Sequence, residues 1–287
     1  YCIDDACLPV KVCHGHAYSL RDKADYIMLP RLTSVSKKEY ICPKFGGLPE
    51  MVKYSVPELP PIIDTEVNML KSPRGLSKAL HNIAYTLKVR NPFKINKAID
   101  TALKVHNEFK SKVGKGACPD RVIDSKPQPA GSFRYTIGVI GHPYLLYDNF
   151  INMKLIHKLE GRAMKVITPE MIDPQIIDER CRELSKRMFW SSGKSLIGSA
   201  LYIMDNDSVD GLLLITAFGC GVDSLAGEFI ENHARRYYKK PFMVLNVDEH
   251  TGDAGFNTRL EAFSDLMDWR NADASYLSPH GRSIYSC

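Results

Sequence analysis

No apolar run in this sequence approaches the roughly 20 residues that a helix needs to cross a bilayer, so the sequence excludes a helical membrane span. No Cys-x-x-Cys pair occurs, and ribbon and finger zinc sites therefore lack their usual spacing. Phosphate-loop and dinucleotide glycine patterns are missing too, which leaves nucleotide binding by this chain without support. There is no block of one charge: 38 basic against 33 acidic residues give +5, spread along the chain. That balance hints weakly at an anionic partner and gives no ground for nucleic-acid binding. The densest basic stretch, Lys88 to Lys115, reads as the solvated face of two helices. The opening, Tyr1-Cys-Ile-Asp-Asp5, has neither the charged nor the apolar part of a signal peptide, and no initiator Met. A cytoplasmic protein with a piece missing upstream is the expectation.

What the chain does have is length and core. Its 287 residues, 44% of them hydrophobic, suffice for one large core or two modest ones. Eight cysteines stand at positions 2, 7, 13, 42, 118, 181, 220 and 287. A chain of this size does not need disulfides to fold, so reduced cysteines are expected. From Tyr135 onward strand-like runs alternate with helix-like ones: "YTIGVIGHP" (135–143), "AMKVITP" (163–169), "GLLLITAFG" (211–219) and "PFMVLNVD" (241–248), with helices near 150–160, 174–203, 223–238 and 255–268. Such alternation predicts a parallel sheet covered on both faces. The fold class expected is α/β, with two doubly wound parallel-sheet domains. Residues 1–115 form an N-terminal α/β domain with a helical extension, short of an upstream βα unit. Within it, strands are expected at 24–30 and 62–67 and helices near 9–23, 74–89 and 94–113. Residues 116–133 read as a Pro- and Gly-containing linker, 134–270 as the C-terminal domain and 271–287 as a tail.

Ligands of such sheets bind beyond the carboxyl ends of the strands, and "GHPY" (141–144), "FGCG" (218–221) and "DEHTGDAG" (248–255) fall there. Cys220 lies between two glycines just ahead of a helix, with Asp223 or Ser224 as a plausible N-cap. A thiol at a helix N-terminus meets amide N–H groups and the positive dipole end, both of which favour thiolate. Cys7, before Pro9, and Cys42, before Pro43, share that setting. Several readings stay open for these residues. Cys220 serves as a small buried hydrophobe, or as a nucleophile activated by His142 or His250. Cys13, His14 and His16 supply zinc ligands locally, or pack. Three dispersed thiolates also suit an iron–sulfur cluster. In "NVDEHTGDAGFNTRLEAF" (246–263), Glu249, His250 and Arg259 are candidate catalytic groups, or structural pairs.

The stretches "ACLPVKVCHGH", "DYIMLPRL", "KKEYICPKFGGLPEMV", "GHPYLLYD", "FGCGVDSLAGE" and "LNVDEHTGDAGFNTRLEAF" together resemble the 2-hydroxyacyl-CoA dehydratase-like family, in its branch related to acyl-CoA dehydratase activases. The resemblance implies two flavodoxin-like domains with an iron–sulfur cluster in the cleft between them. It makes Cys7, Cys42 and Cys220 the metal ligands, with Gly219, Gly221 and Ser224 lining the cofactor. A 4Fe-4S cubane is the expected cofactor and a double-cubane 8Fe-9S cluster the alternative, to which Cys2, Cys13 and Cys118 would contribute. The implied partner is an ATP-dependent activator iron–sulfur protein, within a homo- or hetero-oligomer. The function expected is low-potential electron transfer or reductive, dehydratase-type chemistry in an oxygen-sensitive protein. The alternative is a non-catalytic cluster scaffold or maturation partner.

Overall fold

The computed structural model describes residues 1–127 and 132–271. Residues 128–131 of the expected linker, and the tail from 272 on with Cys287, lie outside the described residues. In chain order the elements are α1 (Leu8–Ser19), β1 (Ile27–Met28), β2 (Arg31–Ser34), α2 (Pro43–Ser55), β3 (Ile62–Ile63), β4 (Glu66–Asn68), α3 (Arg74–Thr86), α4 (Pro92–Gly114), α5 (Pro119–Ile123), β5 (Tyr135–Ile140), α6 (Pro143–Tyr147), α7 (Leu155–Glu160), β6 (Met164–Ile167), α8 (Pro174–Arg182), α9 (Ser191–Asp205), β7 (Gly211–Ala217), α10 (Gly221–Tyr237), β8 (Phe242–Val247) and α11 (Asp253–Asn271). A short 3₁₀ turn, Pro169–Met171, follows β6.

All strand pairs are parallel, so the chain is an α/β protein built on parallel sheets. The larger sheet has the order β6-β5-β7-β8. Its strands sort their side chains by the period of two that a pleated strand imposes. Leu213 and Ile215 of β7, Ile137 and Val139 of β5 and Leu245 and Val247 of β8 point to one core with Leu155 and Leu159 of α7 and Leu260 and Phe263 of α11. Leu212, Leu214 and Ile140 point to the other, packed by Leu196, Ile197, Ala200 and Ile203 of α9 and Ala226 and Ile230 of α10. Gly138 lets α9 close on the sheet, because a Cβ there would stand 2.5 Å from the Ile203 side chain.

The first core does not stop at the sheet. Leu8, Val10 and Ala17 of α1 and Leu48 and Val52 of α2 belong to the same buried cluster, which thus joins the two halves of the chain. His14 ties α1 to α2 as well, with Nδ1 2.8 Å from the Val10 carbonyl and Nε2 3.0 Å from Ser55 Oγ.

Three elements differ from the sequence-based expectation. The strand expected over 62–67 is two strands, β3 against β1 and β4 against β2. Leu29 and Arg31 still donate to Ile63 and Thr65 across the junction, and Pro30 falls at the alternate position, whose N–H would point away from this neighbour. The helix expected from residue 150 starts at Leu155, because Met153 and Lys154 take positive φ of 51° and 60°. Buried Asn152 holds this corner by donating from Nδ2 to the Leu145 and Leu146 carbonyls. The segment read as a linker contains α5, with Cys118, Pro119 and Arg121 buried and Arg121 hydrogen-bonded to Glu160.

Candidate functional site

In the order β6-β5-β7-β8, the chain leaves β5 toward one side of the sheet and returns to β7 on the other. The loops after β5 and β7 therefore diverge, and the crevice between them is where open parallel sheets hold ligands. Gly141 and His142 come from the first loop and Phe218, Gly219 and Cys220 from the second. The amino end of α1 closes the crevice, as Leu8 N–H donates to the Phe218 carbonyl at 3.3 Å.

Four cysteines stand at the start of a helix, and three of them are the expected ligands. Cys7 is the N-cap of α1, Cys42 of α2, Cys220 of α10 and Cys118 of α5, none forming a side-chain cap hydrogen bond. Cys7 and Cys220 are buried and Cys42 half-buried. The proximity of the first two depends on Gly219, whose φ of +74° favours glycine and whose added Cβ would lie 3.2 Å from Cys7 Cα. Tyr144 of α6 lies within electrostatic reach of Cys7, Cys42 and Cys220. Burial, followed by the negative charges of Asp223, Cys220, Cys7 and Cys42, pushes that phenol's pKa far up. Its hydroxyl is buried and has no hydrogen-bond partner.

Asp223 is not the cap that its sequence position suggested; Cys220 is. The Asp223 carboxylate instead turns inward, 2% exposed, and Oδ2 accepts from Ala217 N–H at 2.8 Å. Its Oδ1 lies 2.6 Å from His142 Nε2, an ion pair when the imidazole is protonated. Burial alone would lower the His142 pKa; Asp223 and Cys220 outweigh it and raise it to about 9. The His142 ring stacks on Tyr144 with centroids 5.6 Å apart. His142 Nε2 or Nδ1, Cys220 Sγ and an Asp223 oxygen lie within 4.8 Å of one another.

Gly219 lines this site against Cys7, and Ser224 Oγ donates to the Cys220 carbonyl at 2.9 Å, while Gly221 opens α10 with no heavy atom near a Cβ added there. Glu249 reaches the rim, where it pairs with Lys11 of α1 at 2.5 Å. His250 is exposed, its N–H donating to Asp248 at 3.0 Å. Arg259 lies apart from the thiols, donating to the Val244 carbonyl of edge strand β8 at 2.5 Å. Cys13 lies along α1 with its thiol pKa raised by burial, and Cys118 caps α5 beside Asp120, where burial and that carboxylate push its pKa up. Cys181 packs α8 on α9, its Sγ donating to the Lys194 carbonyl at 3.3 Å.

Tyr144 and Asp223 were not visible as site residues in the sequence, and His142 stood there only as a base for a nucleophile. The available signal was a His-Pro-Tyr directly after a buried strand, in the turn that faces "FGCGVD".

The model of the CoA enzyme activase uncharacterised domain matches residues 1–172. The chain belongs to that family. No curated protein matches it. Membership in the CoA enzyme activase family corrects the resemblance drawn from the motifs: the chain belongs with the activase and not with the 2-hydroxyacyl-CoA dehydratase-like cluster proteins. The reading of electron transfer or reductive, dehydratase-type chemistry by this chain is overturned with it. Cys7, Cys42 and Tyr144 fall inside the matched segment of this activase-family chain, and Cys220 falls beyond it. Among the described residues no helix is long and apolar enough to cross a membrane.

Proposed function

We propose that this activase-family chain is a non-catalytic cluster scaffold or maturation partner, serving the activation of a CoA enzyme by holding an iron–sulfur cluster on Cys7, Cys42 and Cys220. One observation carries the reading: three thiols, each at the positive end of a different helix, belong to one buried cluster, with Cys7 packed against Gly219 beside Cys220 and Cys42 packed on the same cluster. Thiolate is the normal ligand of such clusters, and the helix ends stabilise it. Tetrahedral zinc at about 2.3 Å from each sulfur brings sulfurs to within about 4 Å of one another, whereas a cubane spreads its thiolates over different irons. Three ligands suffice for a single cubane, the fourth iron being left open. A bound cluster would supply iron and sulfide in a form that can be handed on whole. The chain's own part is to hold it by three thiols and to present the ion pair of Lys11 and Glu249 one turn along α1 from Cys7.

The two-lobed, flavodoxin-like arrangement belongs to this proposal, since it sets the cluster where the α1–α2 half meets the larger sheet. The proposed partner is a CoA enzyme. The test is anaerobic reconstitution of the full chain with iron and sulfide, followed by counting both and mixing with the cluster-free CoA enzyme. About four irons per chain, no turnover of acyl-CoA by the chain itself, and gain of activity by the mixed enzyme are expected. Stoichiometric zinc with no labile sulfide, or turnover by the chain alone, would overturn the reading.

A further inference from the structure

We infer that Cys220, His142 and Asp223 form a second metal site, which takes one divalent transition-metal ion of the ferrous or zinc class and shares only Cys220 with the three-thiol set. Three observations carry it. The thiol, an imidazole nitrogen and a carboxylate oxygen come from two diverging loops and the first turn of α10, yet lie within 4.8 Å of one another. That is the donor mixture of sulfur, nitrogen and oxygen that ions of intermediate softness accept. Asp223 is 2% exposed, and its Oδ1 lies 2.6 Å from His142 Nε2, so the two donor atoms already face each other. A buried carboxylate needs a cation beside it; in the metal-free chain His142 is that partner, and an ion bound to both side chains would take the place of the imidazole's proton. The second Asp223 oxygen is already fixed by Ala217 N–H, which sets the carboxylate's orientation in advance of any ion. Three protein ligands leave one position of a tetrahedral ion open, and the Tyr144 hydroxyl, buried and unpartnered beside these groups, is placed to meet what fills it.

Binding exchanges protons for metal: the ion bonds to sulfur, nitrogen and oxygen, and the Cys220 thiol proton, with any proton on His142, leaves to solvent. No electron moves. Because Cys220 serves both sets, the single ion and the cluster compete for it. For a protein that holds or hands on clusters, the site is then a first stop for ferrous iron. That use rests on the proposed function above; the binding of the ion does not.

The test is anaerobic titration of the reduced, metal-free full chain with Co²⁺ alone. One equivalent should bind, with the near-ultraviolet absorption of a cobalt–thiolate bond. Cys220→Ala should abolish that absorption. His142→Ala and Asp223→Asn should weaken binding at least tenfold, since losing even an outer partner of a ligand costs about 10–100-fold. Asn at 223 can still accept from Ala217 N–H, and His142→Cys restores a ligand, so both report on coordination in a folded chain. Cys7→Ala and Cys42→Ala should still bind one Co²⁺ with the same absorption. The inference is overturned if His142→Ala and Asp223→Asn bind as the parent does, or if Cys7→Ala or Cys42→Ala loses the ion equally. A chain that binds Co²⁺ as expected but takes up no iron and sulfide keeps this site and sinks only the cluster reading.

Discussion

At the scale of single residues, the cysteines divide by what surrounds them rather than by their number. Replacing Cys7, Cys42 or Cys220 by Ala should each remove most of the iron from anaerobically reconstituted protein, measured by iron and acid-labile sulfide together. Cys181→Ala should keep it. Burial pushes the Cys181 thiol up to about 11, against the pull of Lys194, and its hydrogen goes to the Lys194 carbonyl. A maleimide at pH 8 should therefore label Cys181 only after denaturation; rapid labelling of the native chain would contradict this placement. Gly219 supports the site without touching iron. Ala there must adopt φ +74° against Cys7 Cα at 3.2 Å, a strain of about 1–2 kcal/mol. A urea midpoint lowered accordingly, with iron retention reduced, is the expected outcome. An unchanged midpoint would mean that the loop relaxes freely.

Among elements, the joint between the first half and α9 turns on a buried carboxylate. Glu39 accepts from Ser191 Oγ at 2.9 Å and from Lys194 Nζ at 2.5 Å, and Lys194 also pairs with Asp178 of α8 at 2.7 Å. Lys194→Met leaves the Glu39 charge uncompensated and should cost about 2–3 kcal/mol. Adding Glu39→Gln should recover most of the loss in chemical denaturation, whereas equal instability of the double variant would show that packing, not charge, holds the joint. The elements themselves were largely legible. The four strands of the larger sheet follow from runs such as "GLLLITA" bounded by polar turns, and their helices from the alternation. What could not be read was local: the division of 62–67 into two strands, the positive φ at Met153 and Lys154, and the helix hidden in a segment that composition marks as a linker. The site was legible in its thiols, because Pro and Gly mark a helix start. Asp223 was misplaced as a cap, since sequence shows that an acid stands in the first turn but not that it faces inward. Arg259, grouped by sequence with Glu249 and His250, is carried by the turn of α11 to the sheet edge.

For the whole molecule, one buried cluster spans α1, α2 and the larger sheet, and the three thiols sit where those parts meet. A group bound there stabilises the fold as any ligand of the native state does, by about 2.7 kcal/mol at a hundredfold excess over its dissociation constant. The reconstituted chain should melt roughly 5–10 °C above the stripped one, and anaerobic scanning calorimetry would show it. Coincident melting of the two forms would mean that the thiols do not bind across the joint. The same layout bears on how the protein is made. Cys220 leaves the ribosome roughly 180 residues after Cys42, about 10–35 s later at ordinary elongation rates. For that interval Cys7 and Cys42 wait without the third thiol, on two helices that pack on each other. On the proposed reading, a cluster could not be completed before the glycine-flanked cysteine emerges, and a nascent chain stalled ahead of it would carry a pair of thiols open to oxidation.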